Sequence, residues 1–177
     1  DRTWNFPAVY TKSIMKTRRN HVAEVIGNHM FIHGGIDENN NILNCCYTLT
    51  FNPLKWQDVI VIDKGDIKRQ HYHSPSLAYH SICLVLPTEL KMSSKLNIYK
   101  IPEVHRSLLD KASDYYGLYI FGGKKPNEEI SNELWIVKLG KKPVEWILAE
   151  DIKGKAPLPR YQHSMNFYEE RSFIIIH

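Results

Sequence analysis

Histidine is the residue here best suited to chemistry, and the chain holds nine. His71 and His73 form an H-x-H, which on an extended segment puts both imidazoles on one face. His80 or His21 would have to supply a third ligand. A metal centre needs three or four convergent ligands with groups to orient them, so no metal is expected. Ser76, Ser81 and Ser164 lie near histidines and are candidate nucleophiles. Adjacent residues of a strand point to opposite faces, so Ser81 and Ser164 form no dyad with His80 and His163 beside them. The run Asp37-Glu38-Asn39-Asn40-Asn41 resembles a calcium loop but lacks the later Gly and the terminal bidentate Glu. "GGKKPNEE" lacks the G-K-[ST] ending of a phosphate loop. Cys45, Cys46 and Cys83 are odd in number and lack metal-ligand spacing, which points to free thiols in a reducing, cytoplasmic setting. No catalytic residue and no cofactor is assigned, and the chain is read as non-enzymatic.

The elements that position these residues are written in a repeat. Gly34 to Asn44 is ten residues, and so is Gly122 to Asn132. Three residues beyond each Asn stands an aromatic, Tyr47 or Trp135, and further on Trp56 or Trp146. Arg18 and His21 form an R-x-x-H, repeated by Arg160 and His163, whereas the unit of His80 carries Leu77 in place of the Arg. Trp4 to His21 and Trp146 to His163 are both 17 residues, and Trp4 to Trp56 is 52. The unit between Trp56 and Trp146 is longer, with an insertion over 87–116 and a lesser one around 64–74.

Each unit reads as four short strands rich in β-branched and aromatic residues. The first follows the His, the second runs into the double glycine, the third follows the Asn and the fourth starts at the Trp. Within the insertion, Pro102 at a helix start and Val104, Leu108 and Ala112 at fourfold spacing predict one short helix. Four antiparallel strands every 50 residues or so are the pattern of a β-propeller blade. Such a sheet has two apolar faces and buries both only by stacking on neighbours. The double glycine marks a sharp turn beside another backbone, where φ is positive and a side chain has no room. The fold class expected is therefore all-β: residues 1–16 close one blade, 17–62 and 75–151 are full blades, and 157–177 begin another. This is an incomplete ring, expected to be a slice of a longer polypeptide that supplies the remaining blades.

The ordered set R-x-x-H, apolar-Gly-Gly, Asn, aromatic, Trp resembles the kelch repeat. The repeat positions are Arg18, His21, Gly34, Gly35, Trp56, His80, Gly122, Gly123, Trp146, Arg160 and His163. The resemblance implies a protein–protein interaction scaffold that grips a protein or peptide partner through inter-strand loops. It also allows a non-catalytic arm of a larger enzyme, such as a kelch-containing Ser/Thr phosphatase, or a ubiquitin-ligase substrate adaptor. Repeat histidines are expected to bond a neighbouring blade's backbone.

The partner-facing residues are expected to be Asp37, Glu38, Lys68, Arg69, Lys124 and Lys125, with Lys64, Lys153 and Lys155 nearby favouring an acidic partner. Nucleic acid is not expected. The net charge is only +4, and Lys and Arg are scattered among 19 acids rather than gathered in a stripe. No apolar run reaches the length of a membrane span.

Overall fold

The computed structural model describes residues 10–11, 15–59, 74–91, 96, 98, 100, 115–140, 142–150 and 152–177. Two sheets carry the expected strand order. In the first blade, β2 (Val22–Ile26), β3 (His29–His33), β4 (Cys46–Phe51) and β5 (Leu54–Asp58) pair antiparallel in sequence order. The second repeats this with β6 (Ser81–Val85), β7 (Gly117–Phe121), β8 (Leu134–Lys138) and β9 (Glu145–Leu148). The hairpin of β10 (Met165–Tyr168) and β11 (Phe173–Ile176) gives the first two strands of a third blade. The architecture is all-β, a set of propeller blades in an incomplete ring.

The register shows why both faces of a blade must be apolar. Leu118 and Ile120 of β7, with Trp135 and Val137 of β8, share a core with Ile26, Phe31, Cys46 and Val59 of the first blade. The residues between them point the other way. Tyr119 and Phe121 meet Met165, with Phe167, Ile174 and Ile176 packed against that second cluster. All five residues of β7 are buried, as expected for the most enclosed strand. Complete burial of an aliphatic side chain contributes about 1.5–3 kcal/mol, so the blade-to-blade faces are the main source of stability.

Three details differ from the sequence reading. The first concerns the N-terminal segment, expected to be the fourth strand of a preceding blade. Its described part, β1 (Tyr10–Thr11), instead pairs parallel with Lys55 and Trp56 on the outer edge of the first blade. An unpaired edge strand invites such cover. Trp4 lies outside the described residues. Second, the fourth strand of the first blade starts at Leu54, two residues before Trp56, because the β4–β5 turn is tight and closes at Phe51↔Leu54. Third, the insertion carries a one-turn helix, α1 (Thr88–Lys91), directly after β6. The helix expected over 102–112 lies outside the described residues.

Candidate functional site

The repeat signature is a seam between blades. Gly34 (φ +67°) and Gly122 (φ +66°) have matching surroundings. A Cβ on Gly34 would stand 2.3 Å from the carbonyl oxygen of Leu77 and 2.9 Å from the His80 ring. On Gly122 it would stand 2.6 Å from the Arg160 carbonyl oxygen and 2.9 Å from the His163 ring. The repeat His of one unit therefore lies over the double glycine of the unit before it. Backbone bonds run across each seam, with Gly35 N–H donating to Leu77 O and Gly123 N–H to Arg160 O, both at 2.9 Å. Leu77 is 1% exposed and fills the core, whereas the aligned Arg18 donates to Gly34 O at 3.0 Å and to Cys45 Sγ at 3.3 Å and stacks on Tyr47.

A second thread joins the same loops. Asn20, Tyr79 and Gln162, each one residue before a repeat His, hold φ values of +57°, +58° and +57°. Tyr79 N–H donates to Asn20 O, and Gln162 N–H donates to Tyr79 O. A non-glycine residue in this region costs about 1–2 kcal/mol, and the cross-blade bond offsets part of that cost.

One ring nitrogen of each repeat His is expected on a neighbouring blade's backbone; His80 and His163 reach side chains across the seams, and the Phe121 backbone also bonds His163. His33 Nδ1 and His80 Nε2 are 2.9 Å apart, and His33 Nε2 lies 3.0 Å from Pro75 O. A carbonyl oxygen only accepts, so His33 carries its proton on Nε2 and His80 donates to His33 Nδ1. The Trp146 ring packs on His33 with centroids 4.8 Å apart. At the next seam His163 Nε2 meets Ser81 Oγ at 2.6 Å. Ser81 thus gains a His partner from the following blade, a pairing hidden by a sequence separation of 82. Ser81 is buried at this seam.

Burial holds these imidazoles neutral. It pushes His33 down to about 3, and it pushes His80 well below the usual value, with His33, His163 and His21 adding smaller effects. Each folded pKa lies below the unfolded one, so the unfolded chain binds protons first as pH falls. Stability is therefore complete above about pH 6.5 and drains as pH falls toward the folded values. At about 1.4 kcal/mol per pH unit, His33 alone removes about 2 kcal/mol between pH 6.5 and pH 5. Urea unfolding at pH 7 and pH 5 should show this loss. His33→Phe, copying the aligned Phe121, should flatten the profile, and an unchanged slope would refute the assignment.

Two of the three thiols are held protonated. Burial raises Cys46 and Cys83 to about 12. Cys46, the first residue of β4, is buried, and Cys45, just before the strand, is half-buried. Among the described residues no group of three or more His, Cys, Asp or Glu is placed to hold a metal. His71 and His73 lie outside the described residues.

The loops after β3 and β7 share one backbone frame. Asp37 N–H bonds Asn41 O and Asn40 N–H bonds Asp37 O, and Lys125 with Glu129 and Glu128 repeats the pair. Asn40 and Glu128 take positive φ at the same step. Their side chains differ. Asp37, expected to face a partner, is 6% exposed, and its carboxylate accepts from Asn41 N–H, Asn41 Nδ2 and Asn39 N–H, which hold its pKa low. It shapes the loop from within, whereas Glu38 is exposed at the tip. Lys124 pairs with Glu128, and Lys125 pairs with Glu133 at 2.7 Å and Glu129 at 3.4 Å. Both ammonium groups are met by carboxylates within the loop, so they add little net positive charge to the face. Lys68 and Arg69 lie outside the described residues.

Blades stacked through glycine–histidine seams define a repeat protein of the β-propeller class. The family model that matches is Recombination activating protein 2, over residues 84–175. That is just over half the chain, and the chain belongs to this family. The finding corrects the expected kelch membership. The motif that carried that resemblance is imposed by the seam itself: glycine where a carbonyl comes close, histidine over it, tryptophan between blades. Any family stacking blades this way meets the same demands. A 52-residue stretch is also similar, at 35% identity, to the dynein alpha chain of the flagellar outer arm of Chlamydomonas reinhardtii. The match covers 29% of this chain and 1% of that protein. No helix among the described residues is long and apolar enough to cross a membrane.

Proposed function

We propose that this chain is a non-catalytic, protein-binding scaffold whose recognition elements are the loops after β3 and β7. One observation carries the reading: two loops with the same hydrogen-bonded frame present different tips, Glu38-Asn39-Asn40-Asn41 and Asn127-Glu128-Glu129. A rigid frame with variable tips lets several loops contact one partner at little ordering cost. The name of the family speaks of activating recombination, and a scaffold contributes to such a process by holding a partner rather than by chemistry of its own. Three free thiols, two of them buried, suit a reducing compartment such as the cytoplasm.

An acidic partner would be met by Lys153 and Lys155, both exposed in the loop between β9 and β10, since Lys124 and Lys125 are already paired. Replacing the exposed tip residues 38–40 and 127–128 with Gly-Ser segments should abolish specific partner capture and shift Tm little. Intact capture by that variant would rule the loops out. Lys153→Glu with Lys155→Glu should weaken an acidic partner about tenfold at low salt and less at high salt. Equal binding at both salt levels would remove charge from the account.

A further inference from the structure

We propose that Asn20, Tyr79 and Gln162 form a row, one residue per blade, that reads an extended, uncharged peptide segment of a partner protein by pairing with its main chain. Each residue stands just ahead of a first strand, β2, β6 or β10, and β6 lies between the other two. Val22 pairs with His33 and Ser81 with Phe121, so the row shares a face with the loops after β3 and β7. The inference rests on the scaffold reading above and gives that face a second contact, separate from the loop tips.

Backbone strain marks the three positions. Among the described residues, six that are not glycine hold positive φ. Three of them have work inside the chain. Asn40 Oδ1 accepts from Arg19 at 2.6 Å, Glu128 pairs with Lys124, and Ser172 Oγ donates to Glu169 O. The other three are Asn20, Tyr79 and Gln162. Among the described residues their polar side-chain atoms have no hydrogen-bond partner, and Tyr79 only packs its ring on Tyr161, with centroids 6.0 Å apart. The cross-blade thread uses their main chain alone, so glycine would keep each of its bonds and remove the strain. Glycine does fill seven other left-handed positions of this chain. At the thread a phenol and two carboxamides stand instead. A side chain kept where glycine would serve the fold better has its work outside the fold.

The three groups also select the occupant. A carboxamide offers an N–H and a C=O, the complement of a peptide unit, and a phenol donates or accepts. An extended chain leaves such units open along its length. The neighbouring cations are already met: Arg19 bonds Asn40 and Asp37 O, and Lys124, which lies near Tyr79, pairs with Glu128. The row therefore selects by hydrogen bonds rather than by charge. The edge-to-face pair of Tyr79 and Tyr161 adds an apolar shelf for one proline or aliphatic side chain.

The test selects binders to the intact protein from a displayed library of random peptides that lack Asp, Glu, Lys and Arg. Selected peptides should shift the NMR signals of the Asn20 and Gln162 carboxamides. Their affinity should change less than about twofold between low and high salt. Tyr79→Gly combined with Gln162→Gly should weaken binding about tenfold or more, while Tm stays level or rises. A library that yields no binder, a binder untouched by the two glycines, or a Tm that falls by several degrees on their introduction would each overturn the proposal. The loop-tip variant described above separates this inference from the reading it rests on, because selected peptides should still bind it. Peptides lost by the tip variant and kept by the glycine variant would sink the row and leave the loops standing.

Discussion

Trp146→Ala should destabilise the protein by about 4 kcal/mol, as expected for emptying a large aromatic site in a packed core. The indole has 0% exposure and packs on His33, with Trp135 at 6.4 Å between ring centroids. It joins two blades rather than stiffening one. Its removal would leave a void at the seam beside an imidazole pair that lost its aromatic cover. Two consequences separate this from an ordinary core truncation. Water entering the void would stabilise protonated His33, so the acid sensitivity described above should shrink in the variant. Amides of β3 and β7 should also exchange together, since each borders the void. Urea unfolding with hydrogen exchange measures both. A loss below about 1 kcal/mol, the scale of a surface substitution, would show that the blades do not depend on this contact.

Gly34→Val should be at least as damaging. The positive φ of Gly34 alone costs a β-branched residue about 1–3 kcal/mol, and the new Cβ would sit 2.3 Å from the Leu77 carbonyl oxygen. That atom belongs to backbone and cannot swing aside. The second blade would have to move off the first, breaking the Gly35–Leu77 bond and parting His33 from His80. The sum points to about 4 kcal/mol or more. Gly154→Val tests the reasoning, because Gly154 also has positive φ, +100°, but no neighbour within 4 Å of its Cβ position. It should lose only the conformational part, about 1–2 kcal/mol. Equal thermal shifts for the two variants would mean that blade contact is not what glycine serves at position 34.

These residues also show what could be read from sequence. The spacing of Gly34, Asn44 and Trp56, echoed by Gly122, Asn132 and Trp146, marks the strands and the insertion, and Gly34, Gly122 and Trp146 answer steric demands of the stacked sheets. The His33–His80 pair was out of reach. His33 aligns with Phe121, so it belongs to no repeat, and no local pattern marks a side chain whose partner comes from the next blade. Ser81 has His80 beside it in sequence, whereas its partner His163 arrives from one unit further on. Asp37 looked like a surface acid because it sits in a polar run. Only the closed loop reveals that backbone N–H groups converge on its carboxylate. Lys124 and Lys125 are expected to face a partner, but the turn brings Glu128, Glu129 and Glu133 alongside them. In each case composition was visible and the fold's choice of neighbour was not.

The chain of bonds through Asn20, Tyr79 and Gln162 is made entirely by main-chain atoms, whether the side chain is a carboxamide or a phenol. Such a stitch is indifferent to chemistry and demands only a backbone bend. A unit copied within a gene would carry its fastening with it and could dock onto the previous copy without new complementary side chains. Growth by tandem duplication, followed by free drift of the loop tips, is thus open to this architecture at low structural risk.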